Sequence, residues 1–141
     1  MSAAQVFSAA NSLALLTWLV LILFQRRAWV RSLVVPATVL LLAAAYAVII
    51  GSRWAGSSGG FGSLDAVSQL FSDPWLLLAG WLHYLAFDLL VGRWEAEDAA
   101  ARDLSPWLAA PCMAATFMFG PAGWLAYLLV RRSRPGLTVA R

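Results

Sequence analysis

The segment from Gly80 to Trp94, GWLHYLAFDLLVGRW, is apolar enough for a lipid bilayer, yet it contains three side chains that can transfer protons. These are His83, which is the only histidine of the chain, Tyr84 and Asp88. A carboxylate at span depth costs on the order of 2.5–3.5 kcal/mol on insertion scales, which makes such a residue a functional candidate by default. We therefore take Asp88, His83 and Tyr84 as candidate catalytic residues for acid–base chemistry.

A helical arrangement of this segment gathers its polar and aromatic side chains on one half of the helix. At about 100° per residue, Tyr84 and Asp88 are one turn apart and can touch, whereas His83 and Asp88 diverge by about 140° and by roughly 7.5 Å. Trp81 and Phe87 lie on the polar half. The opposite half carries Leu82, Leu85, Ala86, Leu89 and Leu90. We predict that the leucine half faces lipid and that the polar half faces a bundle interior.

Structural roles are the alternatives for these candidates. Asp88 lies about one turn from the predicted end of its span, so it could pair with an arginine such as Arg131, and His83 could be a satisfied core histidine. Asn11 in the first apolar run is a candidate substrate contact, with interhelical hydrogen bonding as the alternative. Trp18 and Trp81 are candidate stacking residues, with core packing as the alternative.

The composition indicates an integral membrane protein. Of the 141 residues, 62% are hydrophobic and only 12% are charged, which is too apolar for a water-soluble domain of this size. A spanning helix needs roughly 20 apolar residues, and four runs satisfy this, near residues 6–24, 33–50, 74–92 and 107–130. The prediction is an all-α, polytopic four-transmembrane-helix bundle that forms one domain over residues 1–141.

The connections between these runs carry their own signals. Residues 51–63, GSRWAGSSGGFGS, are predicted to form a flexible loop that either bends over the bundle or stays mobile, and residues 64–71 a short interfacial helix. Asp73 followed by Pro74 is a strong start signal for the third span. The polar stretch 95–103 is predicted to be a solvated, partly helical connection. Phe119-Gly120-Pro121 is predicted to kink the fourth span.

The charges point to lipid headgroups and not to nucleic acid. The net charge of +3 comes from arginine without any lysine, and the arginines cluster at predicted helix ends. With four spans, one side carries Arg53, Arg131, Arg132, Arg134 and Arg141, and the other carries Arg26, Arg27, Arg31, Arg93 and Arg102. The positive-inside rule therefore gives no orientation.

Metal and redox chemistry are disfavoured by the residue inventory. A single histidine cannot build a multi-histidine di-iron site, and the single cysteine, Cys112, supports neither a disulfide nor a cysteine metal centre. No glycine-rich nucleotide motif is present. We expect no cofactor and no metal, and any enzymatic activity to be redox-neutral.

Four blocks of the sequence together resemble one known family. The long and specific block is GWLHYLAFDLLVGRW, supported by AANSLALLTWLVLIL, LFSDPWLLLAGW and FMFGPAGWLAYLLVRR. They resemble the abscisic-acid-deficient-four-like family of small four-span membrane proteins, which in plants is required to make neoxanthin from violaxanthin, by epoxide opening and allene formation without net oxidation. The resemblance implies motif positions at Trp81, His83, Tyr84, Asp88 and Arg93, with Asn11, Gly120 and Pro121.

Two functions follow as expectations, and a helical scaffold or a small-molecule transporter is the remaining alternative. The first is an enzyme acting on a carotenoid or related polyene, with Asp88 and Tyr84 as acid or base, His83 orienting or protonating an oxygen, and Trp18, Trp81 and Phe87 stacking on the polyene. The second is a pigment-binding accessory subunit of a photosynthetic or other membrane complex. The arginine-only, alanine-rich composition is typical of a high-GC bacterium, so we expect a bacterial inner membrane with lipid as partner. Association into homo-oligomers or larger complexes stays open.

Overall fold

The computed structural model describes residues 1–133, which are helical with no β-strand among them; Arg134 and Arg141 lie outside the described residues. Its α-helices are α1 (Ala3–Leu23), α2 (Val35–Arg53), α3 (Leu64–Leu70), α4 (Pro74–Ala101), α5 (Pro106–Phe119) and α6 (Pro121–Val130). Shorter turns cover Val30–Val34, Trp54–Gly56 and Arg131–Ser133. The all-α prediction is confirmed for this part of the chain.

Three helical segments are long and apolar enough to cross a membrane. They are Ala3–Leu23, Val30–Gly56 and Pro74–Ala101. The predicted fourth span, 107–130, is not confirmed as a single crossing helix, because the chain there forms the shorter helices α5 and α6.

α5 and α6 form a helical hairpin that turns at Gly120. Gly120 has a φ of 51°, which ends α5 in a backbone conformation that favours glycine. A Cβ at Gly123 would overlap the backbone of Thr116, although the two residues would be about 10 Å apart along a continuous helix. Tyr127, near the far end of α6, shares a buried cluster with Ala109 of α5. The predicted kink is therefore a complete reversal of the chain.

The start of α4 is as predicted, and its end is not. The Asp73 carboxylate accepts hydrogen bonds from the amides of Trp75 and Leu76, at 2.7 and 3.2 Å, and Pro74 occupies the first turn. The helix then continues nine residues beyond the predicted end at residue 92, as far as Ala101. The prediction of a solvated connection from residue 95 is wrong in this part, because the hairpin packs against α4 and buries Glu95 completely.

The half of α4 that packs inside the bundle is the leucine half. Leu82 and Leu89 are completely buried and belong to the core cluster shared with α1 and α2, whereas His83 and Phe87 are exposed. The prediction that the leucine half faces lipid is wrong. The reason is physical: lipid tails are as apolar as leucine, so apolarity does not decide which side of a membrane helix packs against its neighbours.

The short helix α3 is confirmed, and the loop before it folds back onto the bundle. The Ser63 hydroxyl caps α3 by accepting a hydrogen bond from the Ala66 amide, at 3.1 Å. The Gly60 amide donates to the Ala66 carbonyl, also at 3.1 Å. Phe61 stacks on Trp54 with ring centroids 5.5 Å apart. The loop thereby forms one wall of a cavity beside α2 and α4.

Candidate functional site

Two of the predicted catalytic residues meet the tip of the helical hairpin. Asp88 lies at the middle of the 28-residue helix α4, with its carboxylate oxygens 3.4 and 3.6 Å from the position that a Cβ at Gly120 would occupy. The Tyr84 ring lies at the same tip, and its hydroxyl interacts with the Asp88 carboxylate and donates a long hydrogen bond, 3.4 Å, to the Phe117 carbonyl. Gly120 leaves room for both groups because it has no side chain.

One oxygen of Asp88 lacks a donor. Its Oδ2 is buried, and no hydrogen bond to it forms from any residue that the structure describes. The shorter predicted span placed Asp88 near a helix end, but in the structure it lies far from both ends of α4. Arg131 pairs instead with Asp98, at 2.9 Å. The ion pair considered as an alternative for Asp88 is therefore not formed with this arginine.

A groove leads from the outer surface to Tyr84. It has a volume of about 340 Å³, runs between α1, α4 and α5, and is lined by Asn11, Leu15, Trp81, Tyr84, Leu85, Phe117 and Met118. Several lining side chains are exposed, including Trp81 at 39% and Met118 at 66%. The groove is therefore open toward the surroundings of the bundle.

Asn11 and Trp81 are held together at the rim of this groove. The Trp81 indole N–H donates to the Asn11 side-chain oxygen at 2.8 Å, linking α4 to α1. The Trp81 ring also lies 5.2 Å from the Tyr84 ring and 5.7 Å from the Phe7 ring. The interhelical hydrogen bond anticipated for Asn11 is present, and its partner is Trp81. Trp81 still lines the groove.

His83 and Phe87 stack on each other, and His83 lies on the side of α4 that faces α2. Their rings stack at 4.4 Å, and the His83 ring lies 5.9 Å from Tyr46 of α2. His83 borders an apolar cavity of about 500 Å³. That cavity is lined by Tyr46, Ile50, Trp54, Phe61, Leu70, Phe71, Leu76, Gly80 and His83.

Trp18 and Arg93 are separate from the groove. Trp18 is 1% exposed, with its ring edge against Gly92, where any Cβ would overlap it, and with the Phe117 ring 5.6 Å away. Its indole nitrogen is buried and has no hydrogen-bond partner among residues 1–133. Arg93 forms an ion pair with Glu97 at 2.8 Å on the outer side of α4. Trp18 is thus a core residue beneath the site.

Glu95 is a buried carboxyl group that sequence reasoning missed. It is completely buried, and its Oε1 accepts a hydrogen bond from the Thr116 hydroxyl at 2.8 Å. Its Oε2 is buried without a partner in the described part of the chain. The available signal was spacing: Glu95 follows Asp88 by seven residues, which places both on one stripe of a helix. Ending the span at residue 92 hid this relation.

The family assignment comes from a comparison with protein-family models. Residues 5–127 match the model described as ABA DEFICIENT 4-like. The chain belongs to this family. The matched range includes Tyr84, Asp88, Glu95 and the hairpin tip, and it agrees with the resemblance seen in the sequence blocks. No curated protein and no solved structure matches the chain.

The arrangement in this ABA DEFICIENT 4-like protein can hold and move protons. Among residues 1–133, no group of three or more histidine, cysteine, aspartate or glutamate side chains is placed to hold a metal ion. Asp88 and Tyr84 bring a carboxyl group and a hydroxyl group to the same hairpin tip, and such groups serve in general acid–base catalysis. Tyr84 lines the groove, so a lipid-soluble molecule held there would contact it.

Proposed function

We propose that this protein binds a carotenoid or related polyene and converts it by redox-neutral proton transfer, either isomerisation or epoxide opening. The observation that carries the proposal is that Tyr84 lines the groove and meets Asp88 and Gly120 at the hairpin tip. Family membership supports a role connected with neoxanthin formation. A polyene is apolar over its length and polar at its oxygenated end, which suits a groove with polar groups only at its rim and its end.

Asp88 would act as the proton donor and acceptor. In epoxide opening, the neutral carboxyl donates its proton to the epoxide oxygen as one C–O bond breaks. Loss of a proton from a neighbouring C–H group then forms the new double bond and returns a proton to the carboxylate. Tyr84 would orient the oxygen through its hydroxyl. No electrons leave the substrate, and the protein ends in its starting state.

The groove-lining aromatic residues would orient the polyene. Trp81 presents part of its ring to the groove while its N–H is satisfied by Asn11, so that the exposed face is available for stacking. Phe117 provides a second ring at the groove. Trp18 would support the site from beneath through Gly92, without contacting the polyene.

Pigment analysis in a carotenoid-producing host tests the proposal. We expect a host that accumulates violaxanthin and expresses the protein to form an isomer of equal mass, and the Asp88→Asn variant to form none at a similar folded yield. Asp65→Asn is the matched control, because Asp65 is exposed on α3. An unchanged pigment profile with the native protein, or wild-type conversion by Asp88→Asn, would contradict the proposal.

A second candidate function is pigment binding without chemistry. The observation that favours it is the aromatic cavity of about 500 Å³ beside His83, which lies on the far side of α4 from Asp88. His83 would there bind a carotenoid end group or the magnesium of a chlorin. Protein purified in mild detergent that carries a stoichiometric pigment and returns it unaltered after incubation would favour this function over catalysis.

We also propose three membrane crossings with the α5–α6 hairpin entering and leaving on one side. At about 1.5 Å per residue, α4 is about 42 Å long and suffices to cross a bilayer core of about 30 Å, with Asp88 near mid-depth. The hairpin tip at Gly120 reaches the level of Asp88, and its returning end reaches Asp98 through Tyr127 and Arg131. A bacterial inner membrane is the location that the composition favours.

A further inference from the structure

Three buried polar atoms without a partner belong to α4 and to α1, which packs against it. They are Oδ2 of Asp88, Nε1 of Trp18 and Oε2 of Glu95, and none receives a hydrogen bond from the residues that the structure describes. Buried polar groups are normally paired with protein or with ordered water. A water molecule can accept a hydrogen bond from the indole N–H and donate hydrogen bonds to the two carboxyl oxygens.

The helix α4 aligns these groups. Asp88, Gly92 and Glu95 follow one another at spacings of four and three residues, so they share one stripe, with about 10 Å of rise from Asp88 to Glu95. The Trp18 ring occupies the space that Gly92 leaves between them. The two carboxyl groups interact electrostatically across this interval.

The surroundings of Glu95 isolate it from solvent. The Thr116 hydroxyl contacts it from α5. The ionisable groups that interact with it electrostatically are Cys112 of α5, Tyr127 of α6 and Asp88 of its own helix. Asp98, one turn further along α4, is already occupied by Arg131, Arg102 and the Tyr127 hydroxyl. No arginine neutralises Glu95 within the described residues, since the ion pairs of α4 involve Glu97 and Asp98.

A structural role does not explain a carboxyl group at this position. The hydrogen bond from Thr116 uses one oxygen only, and a glutamine would accept it equally well. A carboxyl group at span depth costs on the order of 2.5–3.5 kcal/mol, whereas an interhelical hydrogen bond in a membrane contributes about 0.6–1.7 kcal/mol. The second oxygen is the part of Glu95 that packing leaves unexplained.

We propose that Glu95 is a proton-relay residue that exchanges a proton with Asp88 through water bound at the Trp18 indole. The proposal rests on the function proposed above, and Glu95 acts through Asp88 without contacting the polyene. After Asp88 has given its proton to the substrate oxygen, Glu95 releases its proton to the water, which passes one of its own protons to Asp88. Asp88 then passes this proton back through the water to Glu95, and the Asp88 carboxylate accepts the substrate C–H proton, which restores both carboxyl groups.

Infrared spectroscopy of the purified full-length protein in lipid nanodiscs tests the relay directly. Protonated carboxyl groups give C=O stretching bands that shift when H₂O is replaced by D₂O. We expect Glu95→Gln to remove one such band and Asp88→Asn to shift that same band, because the two groups share a water. The matched control is Glu97→Gln, which changes an exposed carboxylate two residues away and should leave the band in place.

Turnover of violaxanthin provides the second readout. We expect Glu95→Gln to slow turnover by about 10- to 100-fold, less than the loss of Asp88 itself, and to leave the Kd for violaxanthin within about twofold. Thr116→Val is a second variant that keeps the carboxyl group, and it should shift the Glu95 band by removing its donor.

The outcomes separate the relay from the proposed function. Any of three results would overturn the relay. The Glu95 band stays in place in Asp88→Asn, or Glu95→Gln removes no exchangeable band, or Glu95→Gln turns over violaxanthin at the wild-type rate. Native protein that binds violaxanthin without converting it would overturn the proposed function, and coupled bands in that same sample would still support proton exchange between Asp88 and Glu95.

Discussion

The proposed chemistry depends on the hydroxyl group of Tyr84. Replacing Tyr84 with phenylalanine keeps the ring beside Trp81 and removes the group that interacts with Asp88. We expect turnover to fall by about 10- to 100-fold, within the range of one proton-transfer partner. The hydrogen bond to Phe117 is long, so the free energy of unfolding should change by less than about 1 kcal/mol. Equal turnover in both proteins would exclude Tyr84 from the mechanism.

Residue-level features were predictable where the physics is local. The Asp73 cap and the Tyr84–Asp88 pair follow from spacing within one helix, and the structure contains both. Glu95 was missed because the predicted span ended at residue 92, whereas burial by the hairpin is a tertiary effect. The separation of His83 from Asp88 across the helix was anticipated, but the side on which each packs was not.

At the scale of elements, the hairpin depends on the close approach of α6 to α5. A methyl group at Gly123 would overlap the backbone of Thr116, which cannot move aside as a flexible side chain does. We expect Gly123→Ala to destabilise the protein by about 1–3 kcal/mol and to lower turnover by displacing the tip. Gly51→Ala is the control, because nothing lies within 4 Å of that position. Unfolding in mixed detergent micelles measures the stability of both variants. A Gly123→Ala variant as stable as the native protein would contradict the hairpin.

The elements themselves were only partly predictable. Three spans follow from apolar length, and α3 from its spacing, because those signals belong to single segments. Residues 107–130 have the composition of one span, so nothing in apolarity distinguishes a crossing helix from two helices that return. The reversal depends on the φ of Gly120 and on backbone contact at Gly123, which are geometric and not compositional.

At the scale of the whole molecule, the proposed three crossings would remove the tie in the arginine count. With three crossings, the described arginines fall on the hairpin side except for Arg53. That side carries Arg26, Arg27, Arg31, Arg93, Arg102, Arg131 and Arg132. The contact of Arg26 with Asp103 supports this grouping. The positive-inside rule then predicts that the hairpin side is cytoplasmic.

Labelling of single cysteines in intact cells checks this topology. In a Cys112→Ser background, we expect Arg27→Cys and Arg132→Cys to be protected from an impermeant thiol reagent, and Ser58→Cys to react. Four crossings would instead place positions 58 and 132 on the same side, so that both would react or both would be protected.

Conversion of bound violaxanthin by purified protein tests most directly whether the polyene meets Asp88 beneath the hairpin tip. Wild-type protein and Asp88→Asn would be loaded with violaxanthin in nanodiscs, and bound pigment and product isomers would be quantified after a single turnover. We predict that both proteins bind violaxanthin with similar Kd and that only the wild type forms an isomer of equal mass. Equal conversion by Asp88→Asn would contradict the assignment of Asp88 as the catalytic acid and base.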